Sequence, residues 1–201
     1  MNILAGPSSA IEHRVKGSRF IARALPVTDR PEVDRVLAGL RGRFPDASHI
    51  CYAYRLAGVS EQPVEFSTDD GEPGRSAGVP ILNTLRRRQL IDCLAWVVRY
   101  FGGTKLGIPG LIAAYGRAVE MALADAQTVP WVTLAVRRLL IPYPLVGRVK
   151  AALLKVGGKL LDEEYGLYVV LLTQLPAVEL DDFLRQVQDW GGGTIGIKEQ
   201  N

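Results

Sequence analysis

The chain has 201 residues, of which 48% are hydrophobic and 22% charged, the composition of a folded protein that can bury a core. Its formal charge of +3 falls well short of a strongly basic, dedicated nucleic-acid binder. No apolar run reaches the roughly 18–20 residues of a membrane span, and the first residues lack the charged-then-apolar pattern of a signal peptide.

Residues 19–26 alternate Phe20, Ala22 and Ala24 against Arg19 and Arg23, which predicts a strand. Thr28 or Asp29 can cap a following helix with Pro31 in its first turn, and Val33, Val36, Leu37 and Leu40 give that helix one apolar face. His49 to Leu56 alternates again, and residues 63–67 can form a short strand. STDDGEPGRSAG follows as a loop. A short helix is predicted from about Val79 to Gln89, with Arg86, Arg87 and Arg88 near its C-terminal end. Ile91 to Phe101 is almost wholly apolar, the pattern of a strand covered on both faces. GGTKLGIPG is a second glycine loop, and a helix runs from Pro109 to about Ala126.

The pattern then restarts, which places a domain boundary between residues 129 and 130. Trp131–Ile141 reads as a strand, Leu145–Val156 as a helix, and Lys159–Glu163 and Gly166–Gln174 as two strands joined by the turn Glu164-Tyr165-Gly166. Leu180–Trp190 reads as a helix and GGGTIGIK as a closing strand. The order β-α-β-β-α-β is that of the ferredoxin-like split unit. Charge follows the same division: 16 basic against 13 acidic residues in 1–129, and 8 against 8 in 130–201.

The two glycine loops carry the chemistry. Gly74-Arg75-Ser76-Ala77-Gly78 leads into a helix with Pro80 near its start, and Gly102-Gly103-Thr104-Lys105-Leu106-Gly107 leads into one with Pro109 near its start. Glycine allows close backbone approach, and helix N-termini offer free N–H groups to an anion. Arg75, Lys105 and Arg99 would neutralise phosphate, with Tyr100 as a stacking ring. Neither loop is a P-loop or a G-x-G-x-x-G, and an ordinary turn has the same composition. The acidic run Asp69, Asp70 and Glu72 is read as shaping its loop, with magnesium binding as the alternative. No zinc site is expected, because His13 and His49 lack companions at ligand spacing. No cofactor is expected, and no nucleophile motif surrounds Ser67 or Ser76. Cys51 and Cys93 read as buried, reduced thiols of a cytoplasmic protein, with a disulfide left open.

The blocks FSTDDGEPGRSAGVPIL (66–82) and VVRYFGGTKLGIPGLIAAY (97–115), with HICYAY and SRFIA upstream, resemble the signature of the YigZ/IMPACT family in its bacterial two-domain form. Thr68 resembles an insertion before the Asp pair, and Pro109 stands where the family usually has glycine. The resemblance implies an α+β protein. Its N-terminal domain (1–129) would be a β-α sandwich similar to the second domain of a small-subunit ribosomal protein. Its C-terminal domain (130–201) would be ferredoxin-like and similar to the last domain of elongation factor G. RNA or the ribosome is the implied partner, with a protein partner in translation control also possible and no membrane. The reading is of a non-enzymatic nucleic-acid or ribosome binder that regulates translation. The alternative is a phosphate-ligand enzyme using the glycine loops and Asp69, Asp70 and Glu72.

Overall fold

In a computed structural model, residues 1–58 and 62–199 are described. The chain divides into two compact units, Met1–Trp131 and Val132–Asn201.

The first unit is built on the five-stranded antiparallel sheet β2-β3-β6-β4-β5. Its strands are β2 (Ile11–Val15), β3 (Ser18–Pro26), β4 (His49–Leu56), β5 (Val64–Thr68) and β6 (Cys93–Tyr100). Its helices are α1 (Arg30–Arg43), α2 (Gly78–Arg87) and α3 (Gly107–Ala122). Asp29 caps α1 by accepting the Glu32 N–H at 2.8 Å, and the Glu32 carboxylate returns to the Thr28 N–H at 2.8 Å. Strand alternation then decides which side chains meet which helix. Phe20, Cys51, Ala53, Ala95 and Val97 face α2 and α3, whereas Ile50, Tyr54, Trp96 and Val98 face α1. The central strand β6 is thus covered on both faces, as its apolar run predicts.

A short pair, β1 (Asn2–Leu4) with β7 (Thr128–Pro130), completes the unit. Periodicity does not predict β1, β2 or β7. Two of them have three residues, too few to show a period, and β2 (IEHRV) is polar at three of its five positions. Trp131 belongs here and not to a strand: its N–H donates to the Met1 carbonyl at 3.1 Å and its indole to Asp92 Oδ2 at 3.1 Å.

The second unit orders β8 (Leu134–Ile141), α4 (Val146–Lys155), β9 (Lys159–Tyr165), β10 (Val169–Pro176), α5 (Leu180–Gly191) and β11 (Gly196–Glu199). Its sheet order β11-β8-β10-β9, antiparallel throughout, is the ferredoxin-like one. The hairpin turns two to three residues later than predicted: β9 continues to Tyr165, β10 starts at Val169, and the Gly166 N–H donates to the Tyr168 carbonyl at 3.0 Å. Leu139, Ile141, Val169 and Leu171 form the core with Val149, Leu153, Phe183 and Val187 of the helices.

Candidate functional site

The first glycine loop is organised by its own carboxylates. Asp69 Oδ1 accepts the N–H groups of Ala77 and Gly78 at 2.9 and 2.8 Å, and Oδ2 accepts that of Arg75 at 2.7 Å. Burial pushes the Asp69 carboxyl up, but the bonds from Arg75, Gly78 and Ala77 outweigh it and hold the group below its usual value. The N-terminus of α2, expected to offer free N–H groups to an anion, is therefore filled by Asp69. A local carboxylate satisfies those donors without a ligand. Asp70 and Gly71 turn with φ of +43° and +87°, and Asp70 Oδ2 accepts the Ile50 N–H at 2.7 Å. Gly78 lies against β5: a Cβ there would fall 2.7 Å from Thr68 backbone atoms. Thr68, the residue that looks like an insertion, thus packs on the helix start, and its hydroxyl accepts the Asp70 N–H at 3.2 Å. Gly74 faces open space, Ser76 is buried and donates to the Pro73 carbonyl at 2.6 Å, and Arg75 is exposed with φ +64°.

Glu72 turns inward. Its Oε1 accepts Arg99 Nη1 at 2.6 Å and the Tyr115 hydroxyl at 2.6 Å, and the Arg99 and Glu72 side chains are only 6% and 3% exposed. Arg99 Nη2 reaches Ser18 Oγ at 3.5 Å, and the guanidinium lies between the rings of Phe20 and Phe101. Cys51 Sγ donates to the Asp69 carbonyl at 3.1 Å, and burial pushes its thiol up to about 12. Burial, Cys51 and Glu72 together push the Tyr115 phenol far above its usual range. His49 Nδ1 donates to the Asp70 carbonyl at 2.7 Å and presents Nε2 4.0 Å from Glu72 Oε2. Among the described residues, no group of three or more His, Cys, Asp or Glu is arranged to hold a metal.

Arg99 and Tyr100 were both expected at the anion site. Consecutive residues of β6 point to opposite faces, so Arg99 is buried beneath the loops while Tyr100 packs on the α1 side under Arg19, 5.3 Å from its ring centroid. The exposed ring at the second loop is Phe101, at 50%.

The second loop is open. Gly102 packs so closely on the β2–β3 turn that a Cβ would fall 1.9 Å from Gly17, and its N–H donates to Ser18 Oγ at 3.2 Å. Gly103 and Gly107 take φ of +84° and +70°. No side chain caps α3, and Pro109 lacks an N–H, so Gly107 and Ile108 supply the open donors. Pro73, Arg99, Phe101, Lys105, Leu106 and Ile108 line a cleft of about 340 Å³ between the two loops. The Lys16–Gly17 turn packs on this loop through Gly17, and the neighbouring Lys16 is exposed. Among the described residues, Lys16, Arg75 and Lys105 make no ion pair. Sequence reasoning missed Lys16 and Phe101 as site residues. The available signals were a Lys-Gly pair just before the alternating run of β3 and an aromatic directly before Gly102.

An antiparallel α/β/α layer with two glycine loops at one sheet end, followed by a ferredoxin-like unit, defines a two-domain α+β protein. The chain belongs to the IMPACT family. The Impact N-terminal domain matches residues 16–123, and a domain of unknown function (DUF1949) matches residues 139–194. The chain is 35% identical to IMPACT family member YigZ of Escherichia coli over 97% of this chain and 95% of that protein. It is 31% identical to IMPACT family member YvyE of Bacillus subtilis over 94% and 87%. A solved structure titled "Crystal structure of an hypothetical protein" superimposes with a TM-score of 0.71 at 30% identity, covering 100% of this chain and 97% of that one. Among the described residues, no helix is long and apolar enough to cross a membrane.

Proposed function

We propose that this protein is a non-enzymatic, cytoplasmic nucleic-acid- or ribosome-binding protein that acts in translation control. One observation carries the reading: the exposed Phe101 ring and exposed Lys105 line one cleft at the uncapped start of α3, and Lys105, Lys16 of the β2–β3 turn and Arg75 of the first glycine loop are exposed and make no ion pair among the described residues. Separated cations beside a ring suit a phosphate backbone with an unstacked base. An uncapped helix start adds backbone donors for one phosphate. The excess of positive charge in the first unit supports attraction to a polyanion. The buried thiols suit a reducing compartment. The translational setting comes from the resemblance of the two domains to a ribosomal-protein domain and an elongation-factor domain, and a protein partner in that setting fits the same surface.

The test is binding of the full chain to fluorescently labelled ribosomal RNA and to purified ribosomes across a salt series. Affinity should fall linearly on a log–log plot, and Lys16→Ala, Arg75→Ala and Lys105→Ala should each reduce the slope by about one. Phe101→Ala should weaken binding by about 1–3 kcal/mol without changing the slope. Absence of binding at low salt, or slopes indifferent to all three cation variants, overturns the reading.

A further inference from the structure

Helices α4 and α5 cover one face of the sheet β11-β8-β10-β9. On the other face, the register aligns side chains in rows across the strands. One row is Lys198, Arg138, Leu172 and Asp162, and the next is Gly196, Leu140, Val170 and Glu164. The second row therefore has apolar centre positions, Leu140 and Val170, both rows end in a carboxylate at the β9 edge, and the first carries cations on β11 and β8 with Leu172 on β10. Leu140 is 39% exposed, and glycine at position 196 leaves a hollow of about 230 Å³ beside it, lined by Arg138, Leu140, Val170 and Lys198.

We propose that this face is an isologous interface between two copies of the chain. An isologous contact requires a surface complementary to itself. A two-fold axis parallel to the strands, midway between β8 and β10, lays β8 over the partner's β10 and β11 over the partner's β9. Leu140 then meets the partner's Val170, and Lys198 meets the partner's Asp162, with each contact made twice. Neither row holds an aromatic side chain, so these two rows offer no stacking platform to a single-stranded nucleic acid. Four strands at roughly 4.8 Å spacing give about 400 Å² of face per copy, or about 800 Å² in total, below the roughly 1,200 Å² of a stable specific interface, so the dimer is a weak, transient one. The inference involves the second unit alone and is independent of RNA binding by the first.

Analytical ultracentrifugation of the full chain over micromolar to millimolar concentration tests it. The expected result is a monomer–dimer equilibrium. Leu140→Glu should abolish it. Lys198→Glu and Asp162→Lys should each raise the dissociation constant about tenfold, and the two together should restore it to within about threefold. Thermal melts of each variant check that the fold is retained, and the charge reversals decide the matter if Leu140→Glu does not fold. A protein that is monomeric at every concentration overturns the proposal. So does a dimer indifferent to both charge reversals, or one that the double reversal fails to restore.

Discussion

Arg99 and Glu72 form an ion pair at 2.6 Å with both side chains almost wholly buried, and Tyr115 donates to the same carboxylate oxygen. The pair ties the end of β6 to the acidic loop and to α3, so it fixes the relative position of the two glycine loops. Removing one partner leaves an uncompensated charge out of water. Arg99→Ala should therefore destabilise the protein by about 3–5 kcal/mol in urea unfolding. It should act on stability and not on the salt slope of RNA binding. Unchanged stability would show that the pair does not organise the loops.

Asp69 serves as a side-chain cap for α2 from eight and nine residues upstream. Asp69→Ala should cost about 1–2 kcal/mol, as loss of a helix cap does. The pH dependence has a definite sign. The folded-state pKa lies below the unfolded value, so this contribution is present above about pH 3.9 and is lost as pH falls through the folded value. Acid titration of wild type and Asp69→Asn should converge at the acidic end.

Gly102 admits no side chain, because a Cβ would overlap the Gly17 and Ser18 backbone. Gly102→Ala should destabilise by about 1–3 kcal/mol through forced separation of the β2–β3 turn from the second loop. Gly74→Ala should be close to neutral, since Gly74 faces open space. Paired thermal melts would expose any error in this contrast.

Burial pushes the thiols of Cys51 and Cys93 up to about 12. Each thiol therefore favours the folded state below its unfolded pKa of about 8.5, and this contribution is lost as pH rises from there towards about 12. At pH 8 a thiol reagent should find both groups unreactive in the native protein and both reactive in denaturant. Rapid modification of native Cys51 would show that the acidic loop opens readily.

Residues 132–201 contain their own core, and we expect this fragment to unfold cooperatively when expressed alone. Calorimetry or circular dichroism would show a sigmoidal transition. A featureless melt would make the second unit dependent on the first.

The sequence by itself determined most elements and the family. Val33, Val36, Leu37 and Leu40 mark a helix because a 3.6-residue period is local, and β6 declares itself by a continuous apolar run. The long, specific loop motifs carry the resemblance, and the β-α-β-β-α-β order of the second unit follows from spacing alone. The site itself was legible only in part. Arg99 and Lys105 look alike in sequence, as cations near a glycine loop. Strand alternation and the Glu72 carboxylate, 27 positions away, bury the one, while the other stays in water. Likewise the start of α2 looks like an anion site until the chain folds Asp69 onto it. Which charges are satisfied internally depends on contacts between residues distant in sequence, and those only the tertiary structure decided.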